Sequence, residues 1–539
     1  MTATRRNFLH AIAVGSTALG TGWTSGGPIE AAERAALDAA RKQAAHRRRR
    51  IIYNNDGDDI WAPGAETVEN FLAVRHEPLL GTQVDSIYYC TTQSFNLFTH
   101  DSHAAEVFLT RQGTFANNNL KSFIEQGTDG LRMSCNFARK HGLESIWTLR
   151  MNDIHDCFTP QYVSRWKKDD PRRVMASLEN VSELKDRGRL WSLVDFEHPD
   201  VEPRMAAIIE DVLRNYPVDG VELDFLRAPF YFRSTYEGKA ATDKQASVLT
   251  RLVETIRKKV LTESERQGKP FLLAARVPVS KKLCSYIGID IDAWLSAGMI
   301  DVLAISGGYV AFDQPVSELI ELGHRHQVPV YPCLSQSGLN YRPPRGKEGP
   351  QPSAAWFGAA ARLWDAGADG IYCFNLFPGP GTTEQRDYAL KVLKSIGSKE
   401  LLASADRMFA VCDAGWSLPG AFWAKDAEEF SNSLPLTRDG KPAITVPLVV
   451  AGPIANSAKA SSIELRLDFT GLTDTEVATV TMNSHQLGSP KSEIVGDSRR
   501  IRFSVPESCS RTGVNEIRVE GISEKVQLAG AELWITRIE

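Results

Sequence analysis

Val218-Asp219-Gly220-Val221-Glu222-Leu223-Asp224-Phe225 is a run of strand length whose character alternates residue by residue. Side chains alternate across a strand, so Val221, Leu223 and Phe225 share one face and Glu222 and Asp224 the other. The apolar face calls for a layer of helices. The acidic face points into whatever the sheet encloses. A helical pattern over 201–215 precedes the run and another over 242–266 follows it, which makes it one member of a strand–helix series.

Outward from this run the same alternation repeats. Strand-length apolar runs lie at 50–53, 84–89, 145–149, 271–275, 301–305, 328–331 and 370–374, and further helical patterns cover 316–326 and 353–366. Strands alternating with helices form a parallel sheet. Eight such units over roughly 350 residues predict an α/β fold, a (β/α)8 barrel over 51–404. No Gly-x-Gly-x-x-Gly follows the first strand, which argues against a dinucleotide-binding sheet. After residue 405 helical patterns thin out. Alternating segments such as Ser462-Ile463-Glu464-Leu465-Arg466-Leu467, with turn signals such as Asp439-Gly440, predict an all-β sandwich over 405–539.

Composition narrows the class. The 539 residues are 42% hydrophobic and 24% charged, too apolar for a disordered chain. The net charge of −4 argues against a nucleic-acid binder that depends on neutralising phosphates. Eight cysteines without a Cys-x-x-Cys suit neither a disulfide scaffold nor a zinc site, and mostly free, buried thiols are expected. Thr4-Arg5-Arg6-Asn7-Phe8-Leu9-His10 resembles the twin-arginine export motif, and the mildly apolar stretch after it is too short for a membrane span. Export of a folded protein, to a periplasmic or extracellular location, is the expectation. Residues 29–50, ending in Arg47-Arg48-Arg49-Arg50, read as an exposed helix or linker leading into the first strand.

Active sites of such barrels lie at the carboxyl ends of the strands. Those ends hold Asn54 and Asp56, then Arg150, Asn152, Asp153 and His155, then Arg227, Arg276, Tyr309 and Asn375. A mouth dense in carboxylates, amides and Arg suits a ligand with many hydroxyls. Inside it, Glu222 and Asp224 would repel and be desolvated, which marks them as candidate catalytic acids. The structural alternative is a salt bridge from Glu222 to Arg150 or Arg276. Trp61, Tyr309 and Phe230-Tyr231-Phe232 are candidates for stacking on sugar faces, or for packing. His155 reads as a proton shuttle or a simple hydrogen-bonder. Asp56-Gly57-Asp58-Asp59 resembles half a calcium loop, but no Glu closes it and no His-x-His follows the first strand. Neither a metal nor a cofactor is expected.

From Trp191-Ser192-Leu193-Val194-Asp195-Phe196 through Tyr216-Pro217-Val218-Asp219-Gly220-Val221-Glu222-Leu223-Asp224, the chain resembles the glycosyl-hydrolase-like 10 family of exported barrels, whose fourth strand carries an aromatic-x-Val-Asp-Gly-Ile-x-x-Asp signature. The run also resembles the chitinase pattern Asp-Gly-x-Asp-x-Asp-x-Glu. Leu226 stands in place of its catalytic Glu, which excludes that mechanism. The family resemblance implies hydrolysis of a glycosidic bond in a polysaccharide or oligosaccharide. Thr512-Gly513-Val514-Asn515 and Ala531-Glu532-Leu533-Trp534-Ile535 resemble the end of a galactose-binding-like jelly roll, so the sandwich is expected to be an accessory or carbohydrate-binding module.

A glycosidase needs two carboxyl groups, ~5–5.5 Å apart for retention or ~6.5–9.5 Å apart for inversion. Glu222 and Asp224 lie ~6.6 Å apart along one strand, one below the other, and cannot easily flank a ring. Asp224 is the expected nucleophile or base. Asp153 ranks first for the second role because strand three neighbours strand four, followed by Asp313. Asp56, Asp58, Asp59 and Asp156 are also in reach of the mouth. The competing reading is a carbohydrate-binding barrel without catalysis.

Overall fold

The computed structural model describes residues 31–153, 155–157, 162–176, 190–306, 314–335, 352–411, 434–454, 461–476 and 478–537. The twin-arginine motif, Tyr309 and Asp313 lie outside them. Eight parallel strands close a barrel in sequential order: β1 (Ile51–Asn55), β2 (Val84–Cys90), β3 (Glu144–Arg150), β4 (Gly220–Asp224), β5 (Leu272–Pro278), β6 (Val302–Ser306), β7 (Val330–Ser335) and β8 (Ile371–Phe374). Around it run helices that include α2 (Val201–Asn215), α3 (Asp243–Gln267), α4 (Ser317–Arg325) and α5 (Ser353–Asp365). The ends of α3 follow local chemistry. Thr242 and Gln245 form a capping box, and Gly268 takes the left-handed conformation that stops the helix.

Alternation along the strands separates two cores. Val221, Leu223 and Phe225 join the helices in the outer one. Ile52, Tyr88, Ile146, Ala274, Val302, Tyr331 and Tyr372 belong to the inner one, within the barrel. The register Thr148↔Glu222↔Ala274 and Arg150↔Asp224↔Arg276 stacks the two acids in successive interior layers.

At the amino-terminal floor an Asp at the start of every even strand accepts the backbone N–H at the start of the strand before it. Asp85 takes Arg50 N at 2.7 Å, Asp219 takes Ser145 N at 2.9 Å, Asp301 takes Leu273 N at 2.8 Å and Asp369 takes Val330 N at 2.7 Å. Each bond satisfies a strand-end donor that the ladder leaves open. After Asp219 and Asp369 comes Gly, because a Cβ on Gly220 would lie 2.3 Å from the Leu272 carbonyl oxygen and one on Gly370 2.0 Å from that of Arg49. The Asp-Gly of the β4 motif therefore builds the floor.

The segment expected as an exposed lead-in is part of that floor. Helix α1 (Ala31–Ala45) brings a buried Ala45 to the barrel's interior cluster. Arg49 is 0% exposed and grips Glu144 with Nε and Nη2, each at 2.7 Å. Its Nη1 donates to the Ala45 carbonyl, and Ser86 Oγ donates to Glu144. The open end of a barrel must be covered, and Glu144 at the inner start of β3 needs a counter-ion. An Ala-rich helix with an Arg four residues beyond its end supplies both.

Among the described residues nine strands follow: β9 (Arg407–Ala410), β10 (Ile444–Val450), β11 (Ser461–Thr470), β12 (Thr479–Met482), β13 (His485–Gln486), β14 (Lys491–Val495), β15 (Ser498–Ser504), β16 (Gly513–Glu520) and β17 (Gln527–Arg537). They pair as two sheets, in the orders β9-β17-β11-β15-β14 and β10-β16-β12-β13, which is the expected sandwich. Asp439 and Gly440 both have positive φ, as a tight primed turn requires. The sandwich sits directly on α5, where a Cβ on Gly358 would lie 2.0 Å from the Met408 carbonyl oxygen. Every described cysteine is free, and all but Cys157 are buried.

Candidate active site

The inward face of β4 carries the two acids into different surroundings. Glu222, 0% exposed, accepts hydrogen bonds at Oε2 from Thr148 and Tyr372, both at 2.9 Å, while its Oε1 has no partner. Burial, and then the charge of Asp224, push the Glu222 carboxyl up to about 8 against the pull of Arg276. It is protonated at neutral pH. Asp224 lies one layer nearer the mouth in a bidentate pair: Arg276 Nε donates to Oδ1 at 3.0 Å and Nη2 to Oδ2 at 2.8 Å. Leu226 N also donates to Oδ1, and the Arg276 guanidinium stacks 4.5 Å from the Phe374 ring centre. The salt bridge offered as the alternative for Glu222 is thus made by Asp224, because Arg276 stands in Asp224's layer and Ala274 in that of Glu222.

Arg150, on the other side of Asp224, is the hub of the mouth. It feels the charges of Asp153, Asp56 and Asp224 and bonds the Thr92 carbonyl. Asp153 is 0% exposed. Its Oδ1 lies 2.7 Å from His155 Nδ1, off ideal hydrogen-bond alignment, and accepts His155 N at 2.8 Å. Its Oδ2 lies 3.4 Å from Arg150 and 3.7 Å from Arg227. Burial opposes ionisation there, but His155, Arg150 and Arg227 together hold Asp153 well below the usual carboxylate range. Such a group is an anchor and cannot donate a proton at neutral pH. Arg227 Nη2 donates to His155 Nε2 at 2.7 Å, which leaves the ring proton on Nδ1, facing Asp153.

The loop after β1 adds a third cluster. Asn55 donates to Asp59, which also takes the Tyr89 hydroxyl at 2.7 Å; Asp59 is fully buried and structural. Asp56 pairs with Arg75 at 2.6 Å, and against its burial Arg75 and Arg150 lower its pKa. Asp58 is half-buried and behaves oppositely. Burial, then the charge of Asp56, push it up to about 7 despite Arg75 and Arg150.

The remaining expectations divide. Asn54 is buried at the end of β1, level with Tyr88 and Phe374, and Asn375 is half-buried at the end of β8 with φ 56°. Asn152 does not face a ligand. Its amide bridges loops, donating to the Val194 and Phe230 carbonyls and accepting Val194 N, because the buried backbone groups of two apolar segments meet over it. Asp156 is enclosed by Ser94, Lys167 and Ser192. Phe230, Tyr231 and Phe232 are packing, each at most 4% exposed. The residues that sequence reasoning missed are Arg75, Thr148 and Tyr372. Arg75 crosses from the first loop to the eighth, bonding the Gly379 carbonyl and lying 3.8 Å from the centre of the Phe377 ring. Its only signal is an Arg soon after a cluster of acids. Thr148 and Tyr372 sit where any barrel carries filler.

No known family profile matches the chain, and no curated protein does. Among solved structures it is similar to alpha-L-fucosidase isoenzyme 2 from Paenibacillus thiaminolyticus, at 13% identity and TM-score 0.40, over 68% of this chain and 52% of that one. The chain thus spans about half the fucosidase's length. It is also similar to the PgaB (BpsB) glycoside hydrolase domain from Bordetella bronchiseptica, at 13% identity and TM-score 0.41, over 65% of this chain and 99% of that one. A third similar structure is a glycoside hydrolase family 18 N-acetylglucosaminidase from Paenibacillus barengoltzii, at 11% identity and TM-score 0.35, over 64% of this chain and 99% of that one. Likeness this distant carries no information about a substrate.

Proposed function

We propose that the protein is a glycoside hydrolase acting on a polysaccharide or oligosaccharide at the carboxyl-terminal mouth of its barrel. One observation carries the reading. Around Arg150 stand a carboxylate matched by a bidentate Arg, Asp224, and a half-buried carboxyl that keeps its proton up to about 7, Asp58. Catalysis by two carboxyls needs such unlike environments. Asp58 donates its proton to the glycosidic oxygen as the bond to the anomeric carbon breaks. Asp224 attacks that carbon or takes a proton from the attacking water. Asp153, ranked first for the second role on strand order, instead positions His155 and Arg227. Glu222, protonated beneath Asp224, supports the mouth from inside. Export by the twin-arginine route belongs to the same proposal, and a reporter behind residues 1–50 should fail to leave the cytosol once Arg5 and Arg6 are Lys.

The test starts from a screen of purified protein against polysaccharides. With an acid of pKa about 7, turnover should fall as pH rises past that value. Asp58→Asn should lower turnover ~10²–10⁴-fold and remove that limb of the profile. Asp224→Asn should abolish turnover while sugar binding persists. Unchanged turnover in both variants would place the chemistry elsewhere. The second reading, binding without catalysis, is favoured by the hydrogen bonds already held by both oxygens of Asp224. Saccharide binding without turnover across the whole screen would establish it.

A further inference from the structure

Beside the mouth, a cavity of about 500 Å³ opens between the loops after β2 and β3. Its size falls within the ~300–1,000 Å³ of ordinary ligand sites. One wall is aromatic. Phe108, Phe115 and Tyr162 meet edge to face at interplanar angles of 80–82°, with centroids 4.9–5.8 Å apart, and Trp61 backs Phe115 at 4.9 Å. Three mutually near-perpendicular rings form an aromatic corner of the cavity. Phe115 and Tyr162 are only half-buried. The other wall holds the amides of Gln93 and Gln112, the Thr114 hydroxyl and His155. Among the described lining residues the one carboxylate, Asp156, is neutralised by Lys167 Nζ at 2.8 Å and takes the hydroxyls of Ser94 and Ser192. Among the described residues the lining is therefore amphipathic and carries no unmatched charge.

We infer that this cavity binds a neutral pyranose unit of the saccharide chain, one that does not itself react, so that the protein acts on oligomers in preference to simple glycosides. The inference rests on the glycosidase reading and deepens it. Aromatic faces take the C–H faces of a sugar ring, while amides and hydroxyls meet its edge. A uronate or sulfated sugar would find no unpaired cation among the described lining residues. His155 joins the cavity to the catalytic mouth, since its ring both lines the cavity and contacts Asp153 and Arg227.

The experiment is calorimetry on the full chain with α-1,4- and β-1,4-linked glucotetraoses, an N-acetylglucosamine tetramer, the matching monosaccharides and a sulfated tetrasaccharide. At least one neutral tetramer should bind. Phe115→Leu, which keeps apolar bulk but removes the ring, should weaken it about tenfold. Tyr162→Phe should leave it nearly unchanged, and the melting temperature should hold in both variants. The inference is overturned if no neutral tetramer binds, if Phe115→Leu binds like the parent, or if the sulfated tetramer binds most tightly. Tetramer binding that depends on Phe115, together with normal turnover in Asp58→Asn and Asp224→Asn, would keep the subsite and remove the catalytic reading. Impaired turnover in those two with Phe115→Leu binding intact would do the reverse.

Discussion

The barrel closes each end with the same device and to opposite effect. At the floor Arg49 grips Glu144 with two bonds of 2.7 Å; at the mouth Arg276 grips Asp224 with bonds of 3.0 and 2.8 Å. Both pairs are buried. Around the floor pair the Ala44 and Ala45 carbonyls and Ser86 complete the bonds of the guanidinium and the carboxylate, and the unpartnered neighbour is a neutral hydroxyl, that of Tyr88. Around the mouth pair the unmatched groups are acids. Glu222 sits beneath with Oε1 unpartnered and its proton retained to about 8, and Asp58 keeps its own to about 7. A buried ion pair by itself says little about function. Unmatched acids beside one do, because nothing in folding requires them.

The sharpest way to break this comparison is to remove the same group at each end. Arg276→Met leaves Asp224 buried and unpaired, and should cost ~3–5 kcal/mol in urea unfolding together with a turnover loss of at least ~10²-fold. A cost near zero would mean that water reaches the pair. Arg49→Met should cost a similar ~3–5 kcal/mol but leave turnover per folded molecule unchanged, and adding Glu144→Gln should recover much of the loss. A fall in turnover there would show that floor and mouth are coupled.

Smaller in effect is the pH dependence of Glu222. Its folded pKa is raised above the ordinary 4.5, so between about pH 4.5 and 8 the native state binds more protons than the unfolded one. Its contribution is fully present below that window and lost as pH rises through it, with a slope of at most ~1.4 kcal/mol per pH unit. Glu222→Gln should flatten that part of the stability curve. An identical slope in the variant would mean that another group titrates. The smallest effect belongs to the exposed pair of Arg34 with Glu265, which ties α1 to α3 with Arg34 61% exposed. Arg34→Ala should leave the melting temperature unchanged, since solvent already screens that pair. A drop of several degrees would make α1 depend on its rim as well as on Arg49.

Within the β4 motif, legibility in the sequence changes from one residue to the next. The inward placement of Glu222 and Asp224 follows from alternation along a single strand. The partner of each does not. It depends on which residue of β5 stands level with it, and register between strands 48 or more residues apart in sequence leaves no trace in either. Asp219-Gly220 reads as part of a catalytic signature, yet its Asp holds Ser145 N and its Gly clears the Leu272 carbonyl. Asn152 misled for a related reason, since an amide that joins two loops has the same composition as one that meets a ligand.

What the sequence determined alone is everything carried by periodicity within a short segment. That covers eight strands of period two, helices of period 3.6 between them, the change to a sandwich after residue 405, and the pair of acids turned inward. These are local because backbone geometry sets them. Closure decided the rest. Only when the eighth strand meets the first does Arg150 stand among three carboxylates, does Arg75 span two loops, and does an Arg run that looks solvated become the plug of a floor. The physical reason is desolvation. A charge costs little while exposed and a great deal once buried, so its role is assigned by the group that the fold places beside it.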